Sequence, residues 1–221
     1  MYHSIGGGNS SGGMWSLDSN YFSEHLSYLY ENNNIHLYSC TDLIQSIPED
    51  GIMITFDDGF KDNFEIAAPL LFELEIPFSV FVVTDYVRKE KMDYMNASML
   101  KELSVSPLVT IGSHSKSHVP LTNCSQVKLK SEILESKSYL EDLLGEEISM
   151  FAYPHGRFNS MVKNEVFEAG YKLAFTSHYD VNHSNQDKMA LNRNEIWNTD
   201  NLQILKNKIA GNWDWLKYRS L

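Results

Sequence analysis

The chain has 221 residues, 43% of them hydrophobic, and 29 acidic against 18 basic side chains give it a formal net charge of −11. This length and apolar fraction are typical of one α/β domain with a packed core. The acidic balance argues against nucleic acid or an anionic membrane as a partner, because both attract a basic surface. Two cysteines, Cys40 and Cys124, are too few for a disulfide framework and match no zinc motif.

The sequence shows no membrane span. Its longest apolar stretch, around residues 78–83, is far shorter than the roughly 20 residues that a bilayer requires. No basic segment followed by an apolar run and a small-residue cleavage site opens the chain, which is the pattern of a secretory leader. We therefore expect a protein without a membrane span that works in the cytoplasm.

Short apolar strands alternate with amphipathic helices along the chain. The patterns predict helices over 18–34, 62–73 (interrupted by Pro69), 126–144 and 159–169, and strands over 52–56, 78–83, 109–112, 149–153 and 172–175. Repeated β–α units imply parallel strands with right-handed crossovers, which are compatible with a barrel or an open sheet. In either architecture, functional residues gather at the carboxyl ends of the strands.

The sequence TFDDG at 55–59 comes at the end of the first predicted strand. Its adjacent carboxylates, Asp57 and Asp58, repel each other unless a cation or a shared proton offsets their charge. Gly59 would let the chain turn sharply at this point. The same letters are common in solvated turns, so this segment alone leaves a site and a plain turn as alternatives.

Two histidines, His114 and His118, follow the strand predicted at 109–112. Histidines four positions apart lie one helical turn apart, so a turn begun after the strand would aim both imidazoles the same way. This spacing also occurs by chance on protein surfaces. With one carboxylate, the pair makes a set that suits zinc or another divalent transition metal and leaves positions open for water and substrate.

The sequence FAYPHGR at 151–157 again ends a predicted strand. Pro154 and Gly156 fix a turn whose backbone N–H groups are candidate oxyanion donors. By itself, the segment is also compatible with a plain strand-to-helix loop that carries an exposed His155. The three segments each follow a strand and each supplies a different part of a hydrolytic site, so we expect them to meet in one pocket.

Taken in order, TFDDG, SHSKSH and FAYPHG resemble the motifs of the polysaccharide deacetylases, the NodB-like members of carbohydrate esterase family four. The flanking sequences YH at 2–3, TDYV at 84–87 and GYKLAFT at 170–176 are similar too. The likeness covers about residues 1–176 and leaves 177–221 as a C-terminal extension of a single catalytic domain, 1–221. The resemblance implies a distorted (β/α) barrel and metal-dependent hydrolysis of N-acetyl groups on sugars.

The resemblance also implies roles for individual residues. Asp58, His114 and His118 would bind a divalent metal, with zinc as the first choice and cobalt or nickel as alternatives. Asp57 would be the general base, and the backbone N–H of His155 would help to hold the oxyanion. This division is chemically reasonable, because only one of two neighbouring carboxylates need bind the metal while the other takes a proton from water.

The general acid of many relatives is a histidine near the C-terminus, and no matching segment follows Lys172. His178 and His183 lie in a polar stretch with no strand before them. His3 is the better candidate, because the branch that resembles poly-N-acetylglucosamine deacetylases begins its domain with a similar Tyr-His. A frayed terminus is the alternative for His3. The glycines at 6–8 predict a loop near the substrate or a disordered segment.

Arg193 is a candidate to orient and acidify Asp57 through a charged hydrogen bond, and Arg157 competes for that role. Further candidates, all for binding the substrate, are Tyr153, Pro154 and Trp197.

These residues predict an N-deacetylase that acts on an amino-sugar glycan or a glycan precursor. A deformylase or another linear-amide hydrolase acting on a sugar is an alternative in the same pocket. A degenerate member that binds metal and sugar without turnover is a third. We expect an N-acetylated sugar or oligosaccharide as partner, in carbohydrate metabolism and surface polysaccharide biosynthesis, and the sequence does not predict the oligomeric state.

Overall fold

A parallel sheet of five strands forms the centre of the computed structural model, which describes residues 1–6 and 13–218. Gly7 and Gly8 of the predicted glycine loop lie outside the described residues. Near the N-terminus, β1 (Ser4–Ile5) pairs in parallel with β2 (Ser16–Leu17). The central sheet follows chain order through β3 (Ile54–Phe56), β4 (Phe78–Val82), β5 (Val109–Ser113), β6 (Met150–Ala152) and β7 (Leu173–Phe175).

Seven α-helices lie in the described part of the chain. They are α1 (Ser19–Glu31), α2 (Ala68–Glu73), α3 (Thr84–Arg88), α4 (Ala97–Ser104), α5 (Gln126–Leu144), α6 (Ser160–Glu168) and α7 (Leu202–Ile209). Local sequence sets several of their ends. Ser125 caps α5 by accepting a hydrogen bond from Lys128 N–H, and Gly145 ends the same helix at a φ of 74°.

Apolar side chains fill both faces of the sheet, as its uniformly buried strands require. The outer face packs against the helices through residues such as Phe56, Phe78 and Val80. The inner face encloses a second core that includes Phe81, Phe175 and the segment around Cys40–Ile44. Gly112 makes room for this inner core, because a Cβ there would lie 2.5 Å from the Phe81 ring. Filling of both faces explains the continuous apolar runs in the sequence.

Two residues at the N-terminus close the sheet into a distorted barrel. Tyr2 N–H donates to the Thr55 carbonyl at 2.7 Å, and Asp57 N–H donates back to the Tyr2 carbonyl at 3.0 Å. On the other side, Met1 donates to the Asn194 carbonyl at 2.9 Å, and its own carbonyl accepts from Ile196. The segment 191–196 in turn pairs with β7 through Leu191. The backbone of Met1 and Tyr2 therefore joins the two edges of the sheet.

The predicted strands and long helices are confirmed, with ends that differ by a few residues. The helix predicted over 62–73 is α2 preceded by a π-helical turn, Asn63–Ala67, and Pro69 occupies the first turn of α2. Helices α3, α4 and α7 were not predicted, because each has eight residues or fewer and so offers only a short pattern. Among the described residues, each helix is too short or too polar to cross a lipid bilayer.

Candidate metal centre and active site

Three side chains from two loops face one another at the carboxyl end of the sheet. Asp58 follows β3, while His114 and His118 follow β5, and one ligand atom of each lies within 4.8 Å of the others. The Oδ1 atom of Asp58 is 3.2 Å from His118 Nε2 and 3.6 Å from His114 Nε2. The structure thus brings together two segments that lie more than fifty residues apart in the chain.

The polar atoms of this cluster fit a divalent metal. His114 Nδ1 lies 2.8 Å from the Ala152 carbonyl oxygen and must donate to it, which leaves the lone pair of Nε2 facing Asp58. The buried Oδ1 atom of Asp58 has no hydrogen-bond donor within the described part of the chain. Ligand atoms about 2.0–2.2 Å from zinc lie about 3.0–3.6 Å from one another. The distances at Asp58 agree with this spacing.

Both ligand loops adopt backbone conformations that non-glycine residues rarely use. Asp58 has a φ of 70°, His118 a φ of 60° and Ser115, between the two histidines, a φ of 66°. Such conformations cost about 1–3 kcal/mol each and persist only where surrounding structure fixes them. The helical turn predicted from His114 to His118 is wrong, since this segment forms bends. The two imidazoles are brought to Asp58 by the loop conformation rather than by helical periodicity.

Glu132 of α5 fixes the histidine loop. Its carboxylate accepts hydrogen bonds from Ser117 N–H at 2.8 Å and from the Ser117 hydroxyl at 2.5 Å. Its side chain is fully buried and pairs with Lys128 at 2.6 Å. Because Ser117 directly precedes His118, Glu132 holds the backbone from which this imidazole projects. The sequence did not indicate Glu132, because a glutamate within an amphipathic helix is usually exposed.

Asp57 and Arg193 form a buried ion pair beneath the cluster. The guanidinium binds both carboxylate oxygens at 2.7 Å, and each side chain is 4% exposed. Arg193 Nε also donates to the Thr176 carbonyl at 2.9 Å, and the guanidinium lies over the rings of Phe81 and Phe175. Such a two-point contact fixes the orientation of the carboxylate. The competing candidate, Arg157, is exposed on the turn after β6.

The two neighbouring carboxyl groups titrate in opposite directions. Burial favours the neutral form of both, but at Asp57 the Arg193 guanidinium prevails and holds the pKa well below its usual range. At Asp58, burial raises the pKa to about 6. The Asp57 charge also raises this pKa, whereas His114 lowers it. In the metal-free protein, Asp58 therefore takes up a proton at a higher pH than an ordinary aspartate, while Asp57 stays ionised.

His3 lies beside this cluster. Its backbone carbonyl accepts a hydrogen bond from Asn63 Nδ2 at 2.6 Å, and its ring centroid is 5.8 Å from that of Trp15. Burial lowers the pKa of His3 to about 4, while the Asp57 carboxylate raises it and His114 lowers it further. The preceding residue, Tyr2, accepts a hydrogen bond from Asp57 N–H at 3.0 Å, which places His3 next to the aspartate segment. Because the adjoining residues pair with both edges of the sheet, His3 does not lie in a frayed terminus.

The turn after β6 abuts the histidine loop. His155 is exposed, has a φ of 59°, and its ring lies 4.5 Å from the ring of His118. Its imidazole also hydrogen-bonds to the His118 backbone. Gly156, at a φ of 66°, allows close approach of Ser177, whose Oγ would lie 2.4 Å from a Cβ there. The third sequence segment therefore joins the other two at the same end of the barrel.

The three residues predicted to bind substrate have different surroundings. The Tyr153 side chain is fully buried and donates its hydroxyl to the Met189 carbonyl at 2.9 Å, so substrate binding by Tyr153 stays a prediction for its backbone. Pro154 is also buried. Trp197 is half-buried, packs against Trp213 and donates its indole N–H to Glu195 at 3.2 Å. Substrate binding by Trp197 and Pro154 stays a prediction.

A cavity of about 420 Å³ lies along the closure of the barrel. Its lining includes Met1, residues 52–55 and residues 192–194, so it touches Arg193. Asp58 and the two histidines are not among the described residues that line it. The candidate active site is therefore defined by its converging polar side chains and not by this cavity.

Comparison with known proteins decides the family. The profile described as polysaccharide deacetylase matches residues 45–174, more than half of the chain, and this range includes both aspartates and both histidines of the cluster. The chain belongs to the polysaccharide deacetylase family. It is 26% identical over 200 residues to the putative polysaccharide deacetylase YxkH of Bacillus subtilis, a match that covers 87% of this chain and 68% of that protein.

A second relative is the poly-β-1,6-N-acetyl-D-glucosamine N-deacetylase of Staphylococcus aureus, which is 25% identical over 140 residues. The match covers 58% of this chain and 48% of the relative, so the aligned region spans about half of that protein.

Solved structures agree on the fold. The deacetylase PplD of Streptococcus pyogenes has a TM-score of 0.86 at 20% identity and covers 95% of this chain and 96% of its own. IcaB from Ammonifex degensii has a TM-score of 0.80 at 22% identity and covers 96% and 94%. The distorted barrel implied by the sequence resemblance is thus confirmed.

Proposed function

We propose that this protein is a metal-dependent N-deacetylase that removes acetyl groups from the amino-sugar units of a glycan or glycan precursor. One observation carries the proposal. The converging atoms of Asp58, His114 and His118 suit a cation, and the ionised carboxylate of Asp57 lies directly beside them. A metal site with a separate proton acceptor is the arrangement that hydrolysis of an amide requires.

In this mechanism, Asp57 accepts the proton of the attacking water. Arg193 keeps Asp57 ionised and fixes its orientation, since it binds both oxygens. A bound divalent metal supplies Lewis-acid polarisation of the amide carbonyl and lowers the pKa of water. The backbone N–H of His155 donates to the oxyanion that forms when water adds to the carbonyl.

His3 donates the proton that the leaving nitrogen takes up when the C–N bond breaks. One proton thus enters on Asp57 and one leaves from His3, and acetate and an amino sugar are released. Burial keeps His3 largely neutral near pH 7, while the Asp57 carboxylate favours its protonated form. Negative charge on the oxyanion would raise the pKa of His3, as the Asp57 carboxylate does, so that His3 would take up a proton from solvent before it donates to the nitrogen. The proton held by Asp57 would return to solvent after acetate leaves.

The substrate class rests on the relatives. The Staphylococcus aureus relative is named for poly-β-1,6-N-acetyl-D-glucosamine, and this chain carries the Tyr-His sequence at residues 2–3. We therefore propose an N-acetylglucosamine polymer or its precursor as substrate and residues 1–221 as one catalytic domain. Residues 177–221 complete this domain, because they supply Arg193 and the partners of Met1.

Release of acetate tests the proposal. Metal-free protein would be incubated with zinc, cobalt or nickel and with β-1,6- or β-1,4-linked N-acetylglucosamine oligomers. We expect metal-dependent release of acetate, with the β-1,6 series favoured. Release of formate from a formamido sugar without release of acetate would instead identify a deformylase. Glycan binding without any acyl product would identify a degenerate member.

A further inference from the structure

An exposed tryptophan lies beside His3. Trp15 is 41% exposed, and its ring plane is inclined at 42° to the ring of His3, with the two centroids 5.8 Å apart. An isolated exposed aromatic side chain needs no explanation, but one that contacts a candidate proton donor is a candidate for binding substrate. The sequence patterns did not single out Trp15, because its neighbours show no motif.

The position of Trp15 is set by strand register. In the parallel pairing of β1 with β2, Ser4 lies opposite Ser16 and Ile5 opposite Leu17, and the residues just before these strands, His3 and Trp15, are in ring contact. The paired strands are buried, and the two serine hydroxyls are 3.2 Å apart. The Met14 carbonyl accepts a hydrogen bond from Asn198 N–H at 2.8 Å, which ties this turn to the C-terminal segment. Trp15 is therefore held next to His3 by backbone pairing on both sides.

This register places the indole at the wall of the metal pocket that His3 forms. His3 follows Tyr2, whose carbonyl accepts a hydrogen bond from Asp57 N–H at 3.0 Å, so His3 lies beside the segment that carries both aspartates. Trp15 packs on the ring of His3 while more than a third of its own surface faces solvent. A substrate whose amide reaches the cluster and whose leaving nitrogen faces His3 therefore has the indole alongside its sugar ring.

We propose that Trp15 is a substrate-positioning residue whose indole face stacks on the pyranose ring that bears the acetamido group. The C–H face of a pyranose is apolar and flat, which suits the broad π face of an indole. Stacking would fix the sugar so that its nitrogen lies against His3. The proposal rests on the proposed N-deacetylase function and adds to it the residue that selects a sugar over other amides.

Three variants test this role: Trp15→Ala, the conservative Trp15→Phe and the control Trp215→Ala. Trp215 is 51% exposed and lies in the C-terminal 3-10 helix Asp214–Tyr218, so it matches Trp15 in residue type and exposure. KM and kcat would be measured with an N-acetylglucosamine pentamer. We expect Trp15→Ala to raise KM about tenfold or more with a smaller change in kcat, which marks a loss of binding. Trp15→Phe should recover most of this loss, and Trp215→Ala should leave KM unchanged.

Binding is measured separately from turnover. Titration of the pentamer should quench tryptophan fluorescence in the wild-type protein and in Trp215→Ala, but much less in Trp15→Phe. An unchanged KM in folded Trp15→Ala would overturn the inference. So would equal losses of activity on the pentamer and on p-nitrophenyl acetate, which has no sugar ring. If the wild-type protein binds the pentamer but releases no acetate, the proposed function fails while the fluorescence titration still decides the role of Trp15.

Discussion

The Asp57 carboxylate binds an arginine inside the barrel, whereas the Asp58 carboxylate, one residue later, faces two imidazoles at the barrel mouth. Both carboxylates lie near His114 Nε2, at 3.9 Å for Asp57 and 3.6 Å for Asp58, but only Asp57 is bound by Arg193. One carboxylate has both oxygens bound by charged donors, and the other keeps a buried oxygen without a donor in the described structure. The difference suits Asp57 to its proposed role as proton acceptor and Asp58 to its proposed role as metal ligand.

The surroundings of Asp57 and Asp58 also differ in the contacts that keep them in place. Arg193 is fixed by a backbone carbonyl and by the aromatic rings of the inner core, both parts of the rigid barrel. The metal-ligand loops instead depend on left-handed residues and on the carboxylate of Glu132. We therefore expect substitutions in the Asp57–Arg193 pair to change catalysis and stability. Substitutions around the loops that carry Asp58 and the two histidines should change metal affinity.

The largest expected effect is on turnover. Asp57→Asn keeps the shape of the side chain but removes the proton acceptor, so kcat should fall about 10³-fold while bound metal remains. His114→Ala should lose both metal and activity, because it removes a ligand. Acetate release and metal content per chain, measured on the same preparations, check both variants. Full activity in Asp57→Asn would rule out the proposed base.

The second largest expected effect is on stability, through loss of the buried ion pair between Asp57 and Arg193. Arg193→Met leaves the Asp57 carboxylate buried without its counter-charge, which should lower the free energy of unfolding by about 3–5 kcal/mol. Urea denaturation measures this change. The double variant Arg193→Met with Asp57→Asn should recover much of the stability, because it removes the unpaired charge. If the single and double variants unfold at the same urea concentration, the pair does not contribute as described.

A tenfold effect is expected at Glu132. In Glu132→Gln the side chain loses its charge and one acceptor for Ser117, so His118 should be held less firmly and metal affinity should fall about tenfold. Competition with a chelator measures the affinity. Glu141→Gln is the control, since Glu141 lies on the same helix and also pairs with a lysine four residues earlier, Lys137, but bonds to Ile148 rather than to the histidine loop. Equal affinities in the two variants would mean that Glu132 does not position the ligand loop.

The smallest expected effect concerns pH. Burial lowers the pKa of His3 from its ordinary 6.5 to about 4, so the folded protein favours the neutral ring. Its contribution to stability is fully present above about pH 6.5 and is lost as the pH falls towards 4. Thermal unfolding of metal-free protein across this range should show a shallower decline in Tm for His3→Gln than for the wild type. Parallel curves would contradict the lowered pKa.

Much of this architecture could be predicted because it follows from local patterns. Apolar runs marked the five central strands, and the rule that sites gather at strand ends placed Asp58 and His114 correctly at the carboxyl edge. The choice of Arg193 over Arg157 could not be made in the same way, since it depends on how the segment 191–196 crosses the barrel. Contacts between distant segments decide that path.

Other features left no pattern in the sequence. The spacing of His114 and His118 suggested a helical turn, but left-handed residues at 115 and 118 bring the rings together. These conformations are fixed by Glu132, which is far along the chain and resembles an ordinary helix residue. Trp15 likewise gains its position from a two-residue strand pairing that is too short to show a period.

The closure of the barrel links the two ends of the proposed proton path. The segment 191–196 carries Arg193, which binds the proposed base Asp57, and it also hydrogen-bonds to Met1, two residues before the proposed acid His3. A local opening of this one segment would release Asp57 and His3 together. The enzyme would then be either fully assembled or inactive, with no intermediate in which one proton transfer works without the other. Hydrogen exchange at the amides of residues 193 and 196 would report how often that opening occurs.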